Sequence, residues 1–450
     1  MIFDKFKDKI FIEAKKIGIN NCEIYFSKSK LFHLESNNEK IEKYSDSNTY
    51  GIGLKVIKNG KAGYAYSEIM NEKSADDLVR IAYENLKYIE SDYEEFFLSP
   101  GRKYNQVPEY VDEISRIPTE RKIDIITSLE RKTKSLDKRI ILTPNCVYRE
   151  FFSERRIVNT LGLDLHSASG GGIMYVIAIA SELGKNKMGF GINMFEKKAE
   201  IDIDTTALKA KNEAIEKLNA KSTKSGKYKI LFRNSCWGSL INTFIGMFSA
   251  ENAQKGLSRL NEKLGEKISS EIITIIDDPF MEKSYFKITF DDQGVPTKRK
   301  NLIEKGHLNT FLYDLKTAKK EKRDSTGNAI KNSYKSSTSI RPINLTMLPG
   351  NKNYNEMVKS LNNGLIITSV EGLHSGANSI SGDFSLGAQG FIVENGNILS
   401  GLEQITVSGN ILSLLNDIEE VGNDFDYALS FSPICYFPSV IVNELDVAGE

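Results

Sequence analysis

At 450 residues, with 40% hydrophobic and 27% charged side chains, the chain has the composition of a soluble globular protein and the length of two or three domains. Lys plus Arg number 60 and Asp plus Glu number 60, so there is no basic excess to neutralise a nucleic-acid backbone, and direct nucleic-acid binding is not expected. The charged start, Met1–Lys9, offers no signal-peptide core, and the longest apolar run, Ile173–Ala180, is too short for a membrane span.

Phe3, Phe6, Ile10, Ala14 and Ile17 share one helical face, and Gly18 supplies a stop. Glu23–Phe26, Leu31–Glu35 and Tyr50–Ile57 read as strands, and Asn59-Gly60 turns the last of them into Lys61–Tyr66. Ser74 followed by Asp77 marks a helix start, with Leu78, Ile81, Ala82, Leu86 and Ile89 as the buried face. Together these make an N-terminal α/β domain over residues 1–90. Ser91–Pro118, acidic and then interrupted by prolines, reads as a linker or a wrapped loop.

A central α+β domain is expected over residues 112–219. It opens with a helix, Thr119–Leu136, that turns Ile123, Ile126 and Leu129 inward. An antiparallel set follows: Val147–Phe152, Arg156–Asn159, Leu163–Ser167, Gly172–Ser181 and Gly189–Glu196. A turn at Asn159–Gly162 links two of these, and Gly170-Gly171-Gly172 predicts a bend or bulge. Asp204–Leu218 reads as a capped helix, and Ala220–Gly226 as an interdomain linker.

Residues 227–449 form a C-terminal mixed β-rich domain, which gives an α+β fold class for the whole chain. Its elements are a strand at Tyr228–Phe232, an apolar helix at Cys236–Phe248 and a buried strand at Ile272–Ile276. Hairpins fall at Leu302–Leu308 and Ile392–Ile398. The Lys- and Ser-rich stretch Arg323–Thr338 is expected to be an exposed or mobile loop. Tyr354–Asn363 and Leu412–Val421 read as helices, and Ile434–Tyr436 and Ser439–Leu445 as closing strands.

The most distinctive stretch is Glu371–Gly390, where Gly372, Gly376, Gly382, Gly387 and Gly390 punctuate small polar residues. Glycine lets another backbone approach closely, and Asp383 is placed to hydrogen-bond the N–H groups that follow it. Gly372, His374, Ser375, Gly376, Asn378, Gly382, Asp383, Phe384 and Ser385 are therefore the candidate interface or peptide-binding loop. A structural loop closing a β-domain would have the same composition.

No catalytic or metal-ligating residue is assigned. His33, His166, His307 and His374 are each solitary, and neither His-Glu-x-x-His nor His-Glu-x-x-x-His occurs. Cys22, Cys146, Cys236 and Cys435 have no paired spacing, which suits a reducing cytoplasm and disfavours a zinc knuckle or disulfide framework. Asp277-Asp278 and Asp291-Asp292 follow apolar runs and read as strand caps before they read as a hard-metal site. A Gly-x-Ser-x-Gly elbow and a phosphate loop are both missing.

Gly372-Leu-His-Ser-Gly-Ala-Asn378, Ser381-Gly-Asp-Phe-Ser-Leu-Gly-Ala388, Phe391-Ile-Val-Glu-Asn-Gly396, Ile405-Thr-Val-Ser-Gly-Asn410 and Val421-Gly-Asn-Asp424 resemble the PmbA/TldE branch of the TldD/PmbA family. Phe290–Thr297 and Ser325–Ala329 fit the same branch, so the likeness runs in order from Tyr228 to Gly449. The resemblance implies a subunit that pairs with a TldD-type zinc metalloprotease to enclose a chamber for unfolded or leader-bearing peptides. Members of the family also carry the label of modulators of DNA gyrase. The zinc branch has His-Glu-x-x-x-His on a helix and a later cysteine ligand. The corresponding segments here, Leu240–Phe248 and Val421–Tyr427, contain no histidine or cysteine. No zinc is thus expected on this chain, only in its partner. The alternative is a self-sufficient homodimeric hydrolase built on His374, Asp383 and a bound metal.

Overall fold

The computed structural model describes every residue except Met1, 89–93, Glu109 and 429–432. Phe6, Ile10 and Ala14 are fully buried along α1 (Phe3–Lys16), as their spacing predicts, whereas Ile17 is exposed just before Gly18 at φ 73°. The two strands predicted between Glu23 and Glu35 are one continuous strand, β1 (Asn21–Asn37), paired along its length with β2 (Lys40–Lys58). Asn59 and Gly60, at φ 50° and 74°, make the tight turn into β3 (Lys61–Ser67). α2 (Glu72–Asn85) starts one turn earlier than Ser74 suggests. Asn71 caps it, and Ser74 closes the reciprocal capping box. Leu78 and Ala82 face inward and Ile81 is exposed, while Ile89 lies outside the described residues.

Next in chain order come α3 (Thr119–Ser135), β4 (Ile140–Leu142), β5 (Cys146–Asn159), β6 (Asp164–Glu182), β7 (Lys185–Phe195) and α4 (Ile203–Glu216), which is capped by Asp202. Here too β5 and β6 each replace two predicted strands. The order β3-β2-β1-β5-β6-β4, with β7 beside β6, makes one seven-stranded sheet. The units expected at 1–90 and 112–219 therefore share a sheet through the β1–β5 pairing. Each has its own apolar cluster on the helix-covered face. Phe6, Ile24, Leu54 and Leu78 pack with α1 and α2; Leu34, Ile126, Tyr148, Met174 and Ala210 pack with α3 and α4. No bulge occurs at Gly170–Gly172, which pair in unbroken register with Phe152, Phe151 and Glu150. These glycines provide clearance instead, since a Cβ on Gly172 would fall 2.0 Å from the Phe195 ring and one on Gly170 2.4 Å from the Tyr110 hydroxyl.

In the C-terminal half, β8 (Gly226–Phe232) leads into α5 (Asn234–Thr243), and the expected long helix breaks at Phe244 into a 3₁₀ turn, Ile245–Phe248. Short strands follow: β9 (Ile275–Asp277), β10 (Lys300–Glu304), β11 (His307–Leu308), β12 (Ala329–Lys331), β13 (Thr338–Ile340) and β14 (Asn344–Met347). The remaining strands are β15 (Gly364–Glu371), β16 (Asp383–Glu394), β17 (Asn397–Asn410), β18 (Ile418–Val421), β19 (Asp426–Tyr427), β20 (Ile434–Phe437) and β21 (Val440–Ala448). Leu412–Val421 is not one helix. Its first part lies in the helix Ile411–Asn416, and β18 takes the rest.

Strands β17-β16-β15-β8-β21-β18 form one sheet, and β21 pairs with β17 as well, which closes five of them into a barrel. A second sheet, β11-β10-β9-β14-β20-β19, shares the core that includes Phe232, Trp237, Leu302, Leu345 and Phe437. The stretch Arg323–Thr338 is an exposed loop only in part, with Arg323, Asp324, Asn332, Lys335 and Ser337 at the surface. Thr326–Ile330 is buried, and the segment continues as the β12–β13 hairpin. Its polar sequence is tolerated inside because neighbouring carboxylates receive its N–H groups: Ala329 N donates to Asp291 and Lys331 N to Asp292. Phe290, Val295 and Tyr334 from this half pack against Tyr25, Leu98, Ile157 and Leu163, so the C-terminal half covers the sheet face opposite the helices. Among the described residues, no helix is long and apolar enough to cross a membrane.

Candidate functional site

Side chains alternate across a strand, so Ser27 and Ser29 of β1, Ser153 and Arg155 of β5, and Ser167 and Ser169 of β6 share the face turned to the C-terminal half. The register aligns them: Thr49 lies opposite Ser29, which lies opposite Ser153, which lies opposite Ser169. Beside that row, Ser27 lies opposite Arg155, and Arg155 opposite Ser167. These small hydroxyl side chains floor a cavity of about 610 Å³, roofed by Phe286, Ile288, Asp292, the β12–β13 hairpin and Arg341.

The back of the cavity is an ionic knot. Arg155 Nη1 donates to Asp292 Oδ1 at 2.7 Å, Tyr25 Oη donates to the same oxygen at 3.1 Å, and Lys331 N donates to Oδ2 at 2.7 Å. Asp292 and Arg155 are only 3% and 7% exposed, so this pair is held largely out of water. The Lys331 ammonium lies 4.5 Å from the centroid of the Tyr25 ring and 4.9 Å from that of Tyr64. Burial pushes its pKa down to about 8, against the pull of Glu23 and Asp292. Arg341 Nη2 donates to Asn332 Oδ1 at 3.0 Å, while its buried Nε has no acceptor among the described residues. At the rim Glu68 accepts from Lys335 and from the Tyr334 hydroxyl, both at 2.6 Å. The charged lining is thus Arg155, Lys331, Lys335 and Arg341 against Glu68 and Asp292.

Sequence reasoning pointed elsewhere, to Gly372–Ser385. That segment is the loop between β15 and β16, Gly372–Gly382, and the first three residues of β16, and none of it lines the cavity. His374 and Ser375 are exposed and Phe384 is buried. Gly382 adopts φ 85°, and a Cβ on Gly376 would fall 2.3 Å from the Ser385 carbonyl oxygen. The turn expected from Asp383 is made by Asn378 instead, whose Oδ1 accepts from Ile380 N and Ser381 N. Asp383 accepts from Asn410 Nδ2 at 2.8 Å, and that bond, with one from Ser381, holds its carboxyl below the usual range. Asp277 and Asp291 are buried ties rather than ligands. Asp277 takes Lys300 Nζ, Asn328 Nδ2 and the N–H groups of Ile343 and Asn344; Asp291 takes those of Gln293, Val295 and Ala329.

Along α5 and its 3₁₀ turn, Leu240, Ile241, Phe244, Met247 and Phe248 are core side chains, and burial pushes the Cys236 thiol up to about 12. Among the described residues, no three His, Cys, Asp or Glu side chains gather closely enough to hold a metal ion. This donor set does not fit zinc.

A helix-backed sheet docked on a closed barrel, with a cleft between them, is the scaffold of a three-part metallopeptidase. Family models described as PmbA/TldA metallopeptidase domain 1, central domain and C-terminal domain match residues 22–86, 112–218 and 225–449. The chain belongs to this PmbA/TldD family. Metalloprotease MJ0996 of Methanocaldococcus jannaschii is 28% identical over 425 residues, covering 91% of each chain. The solved structure of TM0727 of Thermotoga maritima, named for modulation of a DNA gyrase, is 37% identical with a TM-score of 0.92, covering 99% of this chain and 100% of that one. TldE of Thermococcus kodakarensis shares the fold, at a TM-score of 0.89 and 21% identity, over 99% of this chain and 100% of its own.

Proposed function

We propose that this chain is a TldE-like subunit that binds no zinc of its own and pairs with a TldD-type zinc metalloprotease, enclosing a cytoplasmic chamber in which unfolded peptides are processed. The observation that carries this reading is the helix α5 and its turn. The family scaffold is complete around them, yet the segment that corresponds to the zinc-motif helix of the catalytic branch, about Leu240–Phe248, has neither histidine nor glutamate, and its Leu240, Phe244 and Met247 are packed in the core. Hydrolysis would then fall to the partner, and this chain would supply wall, contacts and substrate restriction. The outer edge of β2 supports the peptide part of the reading. β3 pairs only with Ile52–Lys58, so residues 40–50 have a strand on one side alone among the described residues. Such an edge can accept an extended peptide through main-chain bonds that any sequence can make.

The test is purification of the chain alone and together with a paralogue carrying His-Glu-x-x-x-His, with zinc content and peptide cleavage measured for each. Zinc and cleavage are expected only in the mixed preparation, along with a heterodimer on size-exclusion chromatography. Chelator-sensitive cleavage by the isolated chain would overturn the reading in favour of a self-sufficient homodimer.

A further inference from the structure

The serine rows have no counterpart in the partner-subunit reading. Packing alone would favour β-branched or aromatic side chains on a sheet face covered by another domain. Here Ser27, Ser29, Thr49, Ser153, Ser167 and Ser169 line up across four strands and leave an open space above them. Two cations reach that space without a full set of partners. Arg341 has a buried Nε with no acceptor among the described residues, and a buried donor left unpaired is destabilising. Lys331 faces two phenol rings, and among the described residues its ammonium makes one side-chain hydrogen bond, a long one of 3.5 Å to the Tyr64 hydroxyl. Hydroxyl donors below and guanidinium and ammonium donors above suit a ligand with several acceptor oxygens and a negative charge. A neutral apolar ligand would leave those donors unmet.

We propose that this cavity is an oxyanion-binding site, in which a carboxylate or phosphate group is held by Arg341 and Lys331 from the roof and by Ser27, Ser153 and Ser167 from the floor. The proposal holds whether or not the chain pairs with a zinc subunit. Two sources share this chemistry. One is the carboxyl terminus of a peptide, which could arrive along the free edge of β2, since Thr49 at the end of that edge lines the cavity. The other is a small phosphate-bearing molecule.

The experiment is calorimetric titration of the intact chain with inorganic phosphate and with two short peptides identical except for a free or amidated carboxyl terminus. Tenfold or tighter binding of the free acid over the amide, with competition by phosphate, identifies the peptide end as the natural source. Phosphate binding without any preference for the free acid identifies the small molecule. In either case Arg341→Gln is expected to weaken binding at least tenfold. Ser153→Leu, which fills the floor without changing charge, should do the same and serves as the test if the Arg341 variant does not fold. Absence of phosphate binding together with equal affinity for acid and amide would overturn the proposal. So would anion affinity unchanged in a folded Arg341→Gln or Ser153→Leu variant. A series with the free-acid peptide adds a pH signature. Binding should weaken as pH rises through about 8, where Lys331, set among Tyr25, Tyr64, Glu23, Asp292 and Lys55, gives up its proton. Lys331→Met should remove that step.

Discussion

Two segments of the C-terminal half, the glycine loop Gly372–Ser385 and the β12–β13 hairpin, exchange roles between sequence and structure. The loop has the more conspicuous composition, yet its polar groups are spent on itself and on the neighbouring strand: Asn378 caps its turn, Asp383 takes Asn410 of β17, and Ser385 N donates to the Gly376 carbonyl. The hairpin reads as surface filler, yet it crosses to the N-terminal sheet. There the Tyr64 hydroxyl donates to the Tyr334 carbonyl, and Asp292 binds Lys331 N. Local composition identifies where a backbone must turn tightly; it does not reveal which distant carboxylates will make a polar segment comfortable inside.

That contrast can be broken most sharply at the ionic knot. Asp292→Ala or Arg155→Ala strands a charge that is almost out of water, and a loss of about 3–5 kcal/mol is expected in denaturant unfolding. The double change Arg155→Met with Asp292→Leu should recover much of that loss, because no lone charge remains. The hairpin's seat comes next. A Cβ on Gly51 would fall 2.4 Å from the Tyr334 ring, so Gly51→Val should cost about 1–3 kcal/mol and speed protease cutting within Asn332–Ser336. A smaller effect follows from Lys331, whose folded pKa of about 8 lies below its ordinary 10.5. Below pH 8 both folded and unfolded chains hold the proton. Between 8 and 10.5 only the unfolded chain does, so stability rises with pH across that window. The urea midpoint of the native chain should therefore rise relative to that of Lys331→Met between pH 8 and pH 10, and parallel curves would contradict the depressed pKa. The smallest effect is expected at the loop. His374→Ala and Ser375→Ala, both exposed, should change the stability of the isolated chain by no more than about 0.5 kcal/mol; under the subunit reading proposed above, their effect should register in assembly with the partner.

Much of the fold was legible because periodicity reports burial. Most of the inner faces of α1, α2 and α3, with Ile17 and Ile81 as exposed exceptions, the Asn59-Gly60 turn and the hairpins at Lys305-Gly306 and Asn395-Gly396 stand where the residues put them. The cleft was legible only as a set of gaps. Predicted strands stop before Ser27–Lys30, Ser153–Arg155 and Ala168–Gly171, where the alternation of large apolar residues lapses. In the fold those interruptions fall side by side on β1, β5 and β6 and become the floor of the cavity. Each lapse looks like a loop when read singly, because serine and glycine also make loops; only the pairing register shows that they are neighbours. Arg341 and Lys331 gave no signal at all, since nothing local distinguishes them from solvated surface cations.

The hairpin also bears on how the chain is made. The sheet that it covers is complete in sequence by Phe195, but Ala329–Ile340 leaves the ribosome much later. At roughly 5–20 residues per second the delay is on the order of ten seconds. During synthesis the nascent sheet shows water a central strip of serine and glycine where a finished interface would usually be greasy. A strip of that kind gives other half-made chains less apolar surface to hold than a bare valine face would.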